Sequence, residues 1–388
     1  MSLNHSPSIV TNGLVFAYDM ANTQKSWKGA PSTNYISTSP TWAGDGTDQS
    51  AFTKGYTEIT NPDLMYYGLK TFLWRPGSSL NCYLQSDDIV GGTSTTSATW
   101  TFSCYVKAEN NQAITSMGVY MYFPSSDGNV AGTITDVGRG WYRITRTRTG
   151  TANYISLIGF TGFTANVKYY LSGAMLTMDS IPVGPLNGNQ TRTTTQALLD
   201  LTGNNTWTVN NLTYASDGTF SFNGSNSWIE SATSSVFDSQ TITMESWNKP
   251  TTTSQYGFLF EKGQVNTQYS NFYNADGTFY FRTMGLSQQD LAFTASTYIT
   301  SGQWNHVVCV VGGGTKTVYI NGIQRYQTTG ITGTMPTGQI NQYVGKYGNA
   351  GNNYPFNGSI AVSRVYNRAL SAAEVKQNFS AHRGRFGI

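Results

Sequence analysis

The chain has 388 residues and a net charge of +3, and 38% of its residues are hydrophobic while 11% are charged. This length predicts two or three domains, and the abundance of Gly (41), Tyr (25) and Phe (19) is typical of short strands and tight turns. Because Lys and Arg form no run, the composition excludes nucleic acid as a predicted partner, and stretches such as Val307–Val311 are too short for membrane insertion.

The N-terminal residues predict a protein without an export signal, because they lack the basic and apolar segments of a signal peptide. The segment Ser26–Ser37 is rich in turn-forming residues and has the composition of a linker. A second linker is expected at 182–195, so the two bracket a block with its own strand pattern.

Period-two alternation of apolar and polar residues predicts half-buried strands through both halves of the chain. It is clearest at Trp100–Lys107, Thr219–Asn223, Gly277–Arg282 and Thr315–Gly322. Hairpin turns are expected at Asp217-Gly218, Asp276-Gly277 and Asn321-Gly322, where Gly supplies a positive φ.

One helix is predicted, over Ser371–Phe379, because Ser371 and Glu374 have the spacing of a capping box and Val375 and Phe379 share one face. The three cysteines, Cys82, Cys104 and Cys309, are too few for a disulfide framework or a zinc site and are predicted to be buried free thiols.

Four ordered motifs in the C-terminal half resemble the laminin-G-like, concanavalin-type jelly-roll family. They are Phe222-Asn-Gly-Ser-Asn-Ser-Trp-Ile, Ile242-Thr-Met-Glu-Ser-Trp, Gly302-Gln-Trp-Asn-His-Val-Val with Val318-Tyr-Ile-Asn-Gly, and Gly358 through Val375. The opening motif of that family is split here, since Asn12-Gly-Leu-Val-Phe-Ala-Tyr-Asp lies far from Leu199-Asp-Leu-Thr-Gly-Asn. The resemblance therefore implies one domain from 1–28 plus 196–388, with Asn12–Asp19 paired to Ile360–Tyr366.

The block 32–190 resembles the carbohydrate-binding-module-like sandwiches of phage tail and fibre proteins. The motifs are Thr99-Trp-Thr-Phe-Ser-Cys-Tyr-Val-Lys, Gly140-Trp-Tyr-Arg-Ile-Thr-Arg and Tyr169-Tyr-Leu-Ser-Gly-Ala-Met-Leu, although Met175 and Thr177 stand where those modules have Gln and Glu. The expected fold class is all-β, with two β-sandwich (jelly-roll) domains, one inserted into the other, and one short C-terminal helix.

No catalytic site is predicted. Glycoside hydrolases with this jelly-roll fold resemble one another in having a Glu-x-Asp-x-x-Glu strand, which places the carboxylates on one face. The glutamates of this chain are isolated along the sequence and form no such strand. Glu245 is interpreted as a rim or edge residue, and His306 as a packed strand residue rather than a base.

Aromatic residues in turn-rich stretches are the candidate glycan-binding residues, because such rings stack on sugars when exposed. They are Trp74, Tyr66, Tyr67, Tyr256, Tyr347 and Tyr354. No cofactor is expected to be required. Calcium occurs in the family, but Asn223 and Asn226 stand where acidic ligands would be needed, so the sequence gives it no support.

Nested modules of these two kinds resemble structural proteins of tailed phages. The resemblance implies a virion protein assembled in the host cytoplasm, exposed as a fibre, tail or capsid-decorating component and able to bind host or environmental glycans. Its expected partners are other virion proteins of the capsid, neck or tail, host-surface polysaccharide and copies of itself, a trimer being typical of that class. The alternatives are a purely architectural virion component and a lectin-like bacterial surface or secreted module.

Overall fold

A computed structural model describes most of the chain, which forms two compact units. The first unit combines Met1–Ala30 with Thr194–Ile388, and the second is Pro31–Thr193. The described residues are 8–22, 25–36, 42–44, 56–66, 68–74, 82–84, 97–123, 125–126, 130–151, 157–165, 167–178, 191–214, 219–263, 268–338, 341–348 and 354–388.

Strands make up nearly all of the regular structure in the described residues. The first fifteen are β1 (Leu14–Asp19), β2 (Ser32–Thr33), β3 (Trp42–Gly44), β4 (Tyr56–Ile59), β5 (Thr71–Trp74), β6 (Cys82–Leu84), β7 (Ser97–Ala108), β8 (Gly118–Phe123), β9 (Ser125–Ser126), β10 (Val130–Ala131), β11 (Thr133–Gly138), β12 (Trp141–Thr151), β13 (Leu157–Thr161), β14 (Tyr169–Thr177) and β15 (Thr191–Arg192). The others are β16 (Trp207–Asn210), β17 (Thr213–Tyr214), β18 (Phe220–Asn223), β19 (Trp228–Ser231), β20 (Ile242–Pro250), β21 (Gly257–Lys262), β22 (Tyr269–Tyr273), β23 (Thr278–Thr283), β24 (Asp290–Thr294), β25 (Asn305–Gly312), β26 (Thr315–Ile320), β27 (Ile323–Thr329), β28 (Gln342–Val344) and β29 (Asn357–Tyr366).

The described residues also contain one α-helix, α1 (Ala372–Phe386), and short 3-10 helices at Pro62–Leu64, Ser235–Phe237 and Ala295–Thr297. Sheets in both units and a single helix at the C-terminus confirm the all-β fold class predicted from the alternating sequence.

The first unit has two antiparallel sheets. One is eight-stranded, in the order β17-β18-β29-β20-β25-β26-β27 with β1 also paired to β29, and the other is seven-stranded, in the order β16-β19-β28-β21-β22-β23-β24. Aromatic side chains from the two sheets meet in one core: Phe16 of β1 stacks on Trp207 of β16, with ring centroids 4.1 Å apart.

The pairing predicted between the N-terminal strand and the closing segment is confirmed. Phe16 pairs with Val365, Tyr18 with Ser363, and Asp19 with Val362. Residues from both ends of the chain therefore lie side by side in the eight-stranded sheet.

Helix α1 begins with the predicted capping box. Glu374 N donates to Ser371 Oγ at 3.3 Å, and Ser371 N donates to Glu374 Oε2 at 2.8 Å. The helix is longer than the predicted segment, because it continues to Phe386, whose ring stacks on Trp247 at 4.3 Å, and ends before Gly387 in the left-handed conformation.

Glu245 is wrongly interpreted as a rim residue, since it is buried between the eight-stranded sheet and α1. Its Oε1 accepts from Arg364 at 2.6 Å and lies 3.1 Å from His306 Nε2, while Oε2 accepts from Asn378 Nδ2 at 2.7 Å. Sequence alternation places Glu245 on a face of β20, but only the packed helix buries that face. His306 is buried in β25, so its interpretation as a packed strand residue is confirmed.

The second unit has two six-stranded sheets, one in the order β10-β8-β13-β6-β3 with β9 paired to β8, and one in the order β11-β12-β7-β14-β5-β4. Phe102 of β7 contacts Phe160 of β13 across the core, with ring centroids 5.4 Å apart. Arg146 of β12 donates to the carbonyl oxygen of Val119 in β8, which joins the two sheets through a buried guanidinium.

The predicted linkers are not free of strand structure. Thr33 pairs with Thr191 and Ser32 with Arg192, forming the short ladder of β2 and β15. This pairing satisfies backbone groups where the chain enters and leaves the second unit. Residues 182–190 of the second predicted linker lie outside the described residues.

The turn and cysteine predictions are confirmed where they can be examined. Gly277 and Gly322 have φ of 82° and 75° in the hairpins that follow β22 and β26, whereas Asp217-Gly218 lies outside the described residues. Cys82, Cys104 and Cys309 are buried and free.

In the described part of the chain, no helix has the length and apolar character needed to cross a membrane.

Candidate functional site

The outward face of the seven-stranded sheet carries the candidate site. In β23, Phe279, Phe281 and Thr283 are buried in the alternating pattern, while Tyr280 and Arg282 occupy the intervening, partly exposed positions. Strand alternation thus gives this sheet one face for the core and one for other contacts.

Six side chains form a row across this face, one from each of six neighbouring strands. Cross-strand partners in sequence along the row are Glu230 with Tyr343, Tyr343 with Glu261, Glu261 with Ser270, Ser270 with Arg282, and Arg282 with Asp290. Directly opposed residues in antiparallel strands project from the same face, so these six residues form a continuous polar row of roughly 24 Å, at about 4.8 Å per strand.

An aromatic row runs beside the polar row, with Phe258, Phe272 and Tyr280 paired across β21, β22 and β23. Adjacent ring centroids are 4.5 and 5.1 Å apart, with interplanar angles of 14° and 7°. The rings therefore stack on one another, so they form an apolar wall but have few free faces for a ligand.

Three of the predicted tyrosines come together at the end of this wall. Tyr347 stacks on Phe258 at 4.9 Å, Tyr354 lies 5.7 Å from Tyr347, and Tyr256 lies 4.5 Å from Tyr354. Tyr256 is 46% exposed, so its ring is available for stacking. Tyr354 has a positive φ of 36°, a conformation that costs about 1 kcal/mol or more in a non-glycine residue.

A shallow groove, open to solvent, lies where the two rows meet, and its lining includes Phe258, Glu261, Ser270, Arg282 and Tyr347. Glu261 is only 5% exposed, and its Oε2 accepts from Gly348 N at 2.6 Å. Burial raises the pKa of Glu261 well above its ordinary value, and the Gly348 amide, Lys346 and Arg282 oppose that shift only in part. Burial therefore makes ionisation of this carboxyl group more costly than it is in water.

Lys262, which lines the groove, is bonded to Asp238, and the two other cations beside the groove, Arg282 and Lys346, also have partners. Arg282 Nε and one terminal nitrogen each donate to Asp290 at 2.8 Å, and this contact raises the pKa of Arg282. Lys346 Nζ lies 3.9 Å from the Trp228 ring centroid and 4.8 Å from that of Tyr343. Ion pairing and cation–π contact thus account for all three positive charges.

The other predicted aromatic residues lie apart from this face. Trp74 is wrongly interpreted as a surface ring, because it is 3% exposed in β5 and belongs to the core of the second unit. Tyr66, also in the second unit, is half-buried and stacks on Tyr105 at 3.9 Å, which covers one of its faces. Tyr67 lies outside the described residues.

Sequence reasoning missed Glu261, Arg282 and Asp290, which come from three strands and share no local motif. The available signal was weak. Tyr280 and Arg282 alternate with core residues in Gly277–Arg282, which shows that their side chains lie on the face away from the core but not which residues they contact. The glutamates are isolated along the sequence, yet Glu230 and Glu261 flank Tyr343 across the sheet.

The two asparagines at the family's acidic positions bond to each other and to the backbone. Asn223 Nδ2 donates to Asn226 Oδ1 at 2.7 Å, while Asn223 Oδ1 accepts from the amides of Ser225 and Asn226. Among the described residues, no group of three or more His, Cys, Asp or Glu side chains has an arrangement that could hold a metal ion. The local geometry therefore gives calcium no acidic ligand set.

These features define an all-β unit with a grooved sheet face. The family model of the Concanavalin A-like lectin/glucanases superfamily matches residues 223–376, which confirms the resemblance of the C-terminal part of the chain. The matched segment begins at the end of β18 and finishes within α1, so it contains the groove. No curated protein matches the sequence.

Several solved structures are similar to part of the chain. The binding domain of botulinum neurotoxin DC in complex with SialylT is 14% identical, with a TM-score of 0.40 over 48% of this chain and 49% of that one. The botulinum neurotoxin serotype D binding domain is 14% identical, with a TM-score of 0.40 over 48% and 50%. The match spans about half the length of these binding domains.

A third similar structure is Domain 4 of AbnA, a GH43 extracellular arabinanase from Geobacillus stearothermophilus, in complex with arabinotriose. It is 21% identical, with a TM-score of 0.38 over 46% of this chain and 91% of that one.

Proposed function

We propose that this chain is a structural protein exposed on a phage virion, as a fibre, tail or capsid-decorating component, and that it binds host or environmental glycans. The binding site is the sheet face of the first unit that carries the polar and aromatic rows, together with the three tyrosines at the end of the aromatic row. The protein holds the glycan without turning it over.

One observation supports the binding role: a polar row and an aromatic wall share one sheet face, with the exposed ring of Tyr256 at the end of the wall. Sugars have apolar ring faces bordered by hydroxyl groups, so a site for them combines exposed aromatic rings with hydrogen-bonding side chains. Glu261, Ser270 and Arg282 supply such groups along the groove. Small sites of this kind combine mostly apolar walls with a few placed polar groups.

The virion role is supported by the sequence resemblance of the nested modules. On a particle, each weak site is repeated, and repeated sites raise the effective affinity by orders of magnitude through avidity. We therefore propose that the protein acts as a homo-oligomer attached to capsid, neck or tail proteins, with a trimer as the state typical of the class.

A glycan array tests the binding role directly, with Tyr256→Ala as the site variant and Tyr298→Ala as the matched control. Tyr298 is also exposed, at 37%, but contacts Tyr326 and Arg325 rather than the tyrosines at the end of the aromatic wall. We expect Tyr256→Ala to weaken binding about tenfold and Tyr298→Ala to leave it unchanged, because truncation of an aromatic contact residue commonly costs more than about 1 kcal/mol and about 1.4 kcal/mol is a factor of ten in affinity. Equal binding by Tyr256→Ala and the wild type would place the site elsewhere.

If the wild-type protein binds no glycan, the result would favour the purely architectural virion role. Incubation of each bound glycan with the protein, followed by chromatography, tests for turnover, and cleavage products would contradict a binding-only role. Mass spectrometry of purified particles tests the virion role, and absence from the particle would favour the lectin-like bacterial surface or secreted module.

A further inference from the structure

We infer that Glu261 is a positioning residue of the glycan site. Its carboxylate holds the segment Gly345–Gly348, and this segment in turn supports the three tyrosines at the end of the aromatic wall. The inference rests on the proposed glycan binding, and it gives Glu261 a role as the anchor of those tyrosines rather than only as a polar group of the groove.

The exposure of the sheet face shows where an anchor is needed. Glu261 and Ser270, in the middle of the face, are each 5% exposed, and Phe272 is 6% exposed. Tyr256, at the end of the wall, is 46% exposed. Most of the surface of Glu261 therefore meets protein groups, whereas the ring of Tyr256 is open to a ligand.

Gly348 is the group that Glu261 holds. Its N–H donates to Glu261 Oε2 at 2.6 Å, and the contact is buried. A Cβ at Gly348 would lie 2.5 Å from the carbonyl oxygen of Gly263 and 2.5 Å from Tyr343 Cε2, so the backbone is closely packed at this point. A buried N–H that loses its acceptor is costly, and the hydrogen bond therefore fixes the position of the segment.

The same segment has a second anchor and carries one of the stacked rings. Lys346 Nζ lies 3.9 Å from the ring centroid of Trp228, which is a cation–π contact. Tyr347 lies between Lys346 and Gly348 in the chain, and its ring stacks on Phe258 at 4.9 Å. The residues on both sides of Tyr347 are thus held by side chains of the sheet.

Tyr347 supports the two tyrosines beyond it. The ring centroid of Tyr354 lies 5.7 Å from that of Tyr347, and the ring centroid of Tyr256 lies 4.5 Å from that of Tyr354. A binding ring keeps a fixed orientation only where neighbouring groups lock it in place. The exposed ring of Tyr256 is therefore held by a series of contacts that begins at the buried carboxylate.

Hydrogen exchange of the full chain, read by mass spectrometry, tests the anchor without any glycan. Glu261→Gln keeps an oxygen that can accept from Gly348, whereas Glu261→Leu has a similar size and no acceptor. We expect exchange in residues 341–348 to stay within threefold of the wild type in Glu261→Gln and to become at least tenfold faster in Glu261→Leu. Glu109→Leu, at an exposed position of the second unit, controls for the change of residue type and should match the wild type. Unchanged exchange in Glu261→Leu would overturn the inference.

Calorimetric titration with the array glycan that binds the wild type most tightly tests the consequence for binding. We expect Glu261→Gln to bind within threefold of the wild type and Glu261→Leu to bind at least tenfold more weakly. Adding Tyr256→Ala to Glu261→Leu should weaken binding by less than a further threefold, because residues that act through one another are not additive.

Losses that multiply in the double variant would show that Glu261 acts independently of the tyrosines, and they would overturn the inference while leaving glycan binding intact. If the wild type binds no glycan, the proposed function and the role of Glu261 in binding both fail, and the exchange experiment separately decides whether Glu261 holds the segment. Circular dichroism verifies that each variant is folded.

Discussion

At the scale of single residues, Glu245 shows how one buried carboxylate joins three parts of the first unit. Burial alone would raise its pKa, but Arg364, His306 and Asn378 outweigh burial and lower it from the ordinary 4.5 to about 2. Burial lowers the pKa of His306, so its ring is neutral at pH 7, with Nε2 donating to Glu245 and Nδ1 making no hydrogen bond to any described residue.

This network predicts a specific loss of stability in acid. The unfolded chain protonates Glu245 at a higher pH than the folded chain, so its contribution is present above about pH 4.5 and is lost as the pH falls towards 2, a loss on the order of 3 kcal/mol. His306 adds to the loss below its ordinary pKa of 6.5, because folding then requires the proton to be released. Urea unfolding of the wild type at a series of pH values measures the effect.

Glu245→Gln isolates the carboxylate in this experiment. At pH 7 the variant should be less stable by roughly 3 kcal/mol, because Arg364 loses its buried partner, and the two stability curves should converge in acid. Glu109→Gln, which changes only a pair of exposed groups with Lys168, should follow the wild type throughout. A constant difference between Glu245→Gln and the wild type at all pH values would contradict the assignment.

Lys316 is a second buried charge, and it stabilises the hairpin of β23 and β24. Its Nζ donates to the carbonyl oxygens of Phe281, Gln288 and Gln289 at 3.0, 3.2 and 2.7 Å. Lys316→Met should lower the free energy of unfolding by about 3 kcal/mol, because three carbonyl groups lose their donor. The exposed Lys376→Met should change it by less than about 0.5 kcal/mol, and equal midpoints of urea unfolding would contradict this role.

At the scale of elements, the turn between β26 and β27 is fixed both by its backbone and by its contact with α1. Gly322 has φ of 75°, and a Cβ there would lie 2.8 Å from Phe379 Cδ1, whereas Gly302 has φ of 71° with nothing within 4 Å. Gly302→Ala should therefore cost only backbone strain, about 1–2 kcal/mol, and Gly322→Ala about 1–3 kcal/mol more. Chemical denaturation compares the two variants, and equal losses would show that the turn does not rely on its contact with the helix.

Elements specified by local chemistry were predictable from the sequence. Asn321-Gly322 and the Ser371 and Glu374 capping box act over a few residues, so spacing alone identifies them. The length of α1 was underestimated because its last turn is stabilised by the contact of Phe386 with Trp247, although Gly387 was an available signal for its end. Trp74 was misplaced because the Arg75-Pro76-Gly77 that follows it predicts a turn, whereas Trp74 itself is the last residue of β5.

The candidate site was predictable only in part, because local sequence chemistry identifies single residues but not their pairing across strands. Tyr256, Tyr347 and Tyr354 were found by their turn-rich surroundings, and they do come together. The polar row was not found, because each of its residues is supplied by a different strand and the order of strands in the sheet differs from their order in the chain. A cross-strand row requires the register, which local alternation does not determine.

At the scale of the whole molecule, the first unit depends on β1, a strand that precedes the second unit in the sequence. Phe16 of β1 is fully buried and contacts Trp207, Phe237 and Phe260, all of which follow the second unit in sequence. The split motif at Asn12–Asp19 and Leu199–Asn204 was the signal for this arrangement, and Asp200 Oδ1 accepts from the amide of Ala17 at 3.1 Å.

Phe16→Ala should therefore destabilise the C-terminal part of the chain by about 3–5 kcal/mol, the usual cost of removing a buried ring. Phe102→Ala is the reciprocal control, since Phe102 is equally buried but packs on Phe160 in the core of the second unit. Hydrogen exchange read by mass spectrometry should show that Phe16→Ala reduces protection in residues 194–388 and Phe102→Ala in residues 97–151. If Phe16→Ala left the exchange of β20, β25 and β29 unchanged, the N-terminal strand would be an accessory to the first unit rather than part of its core.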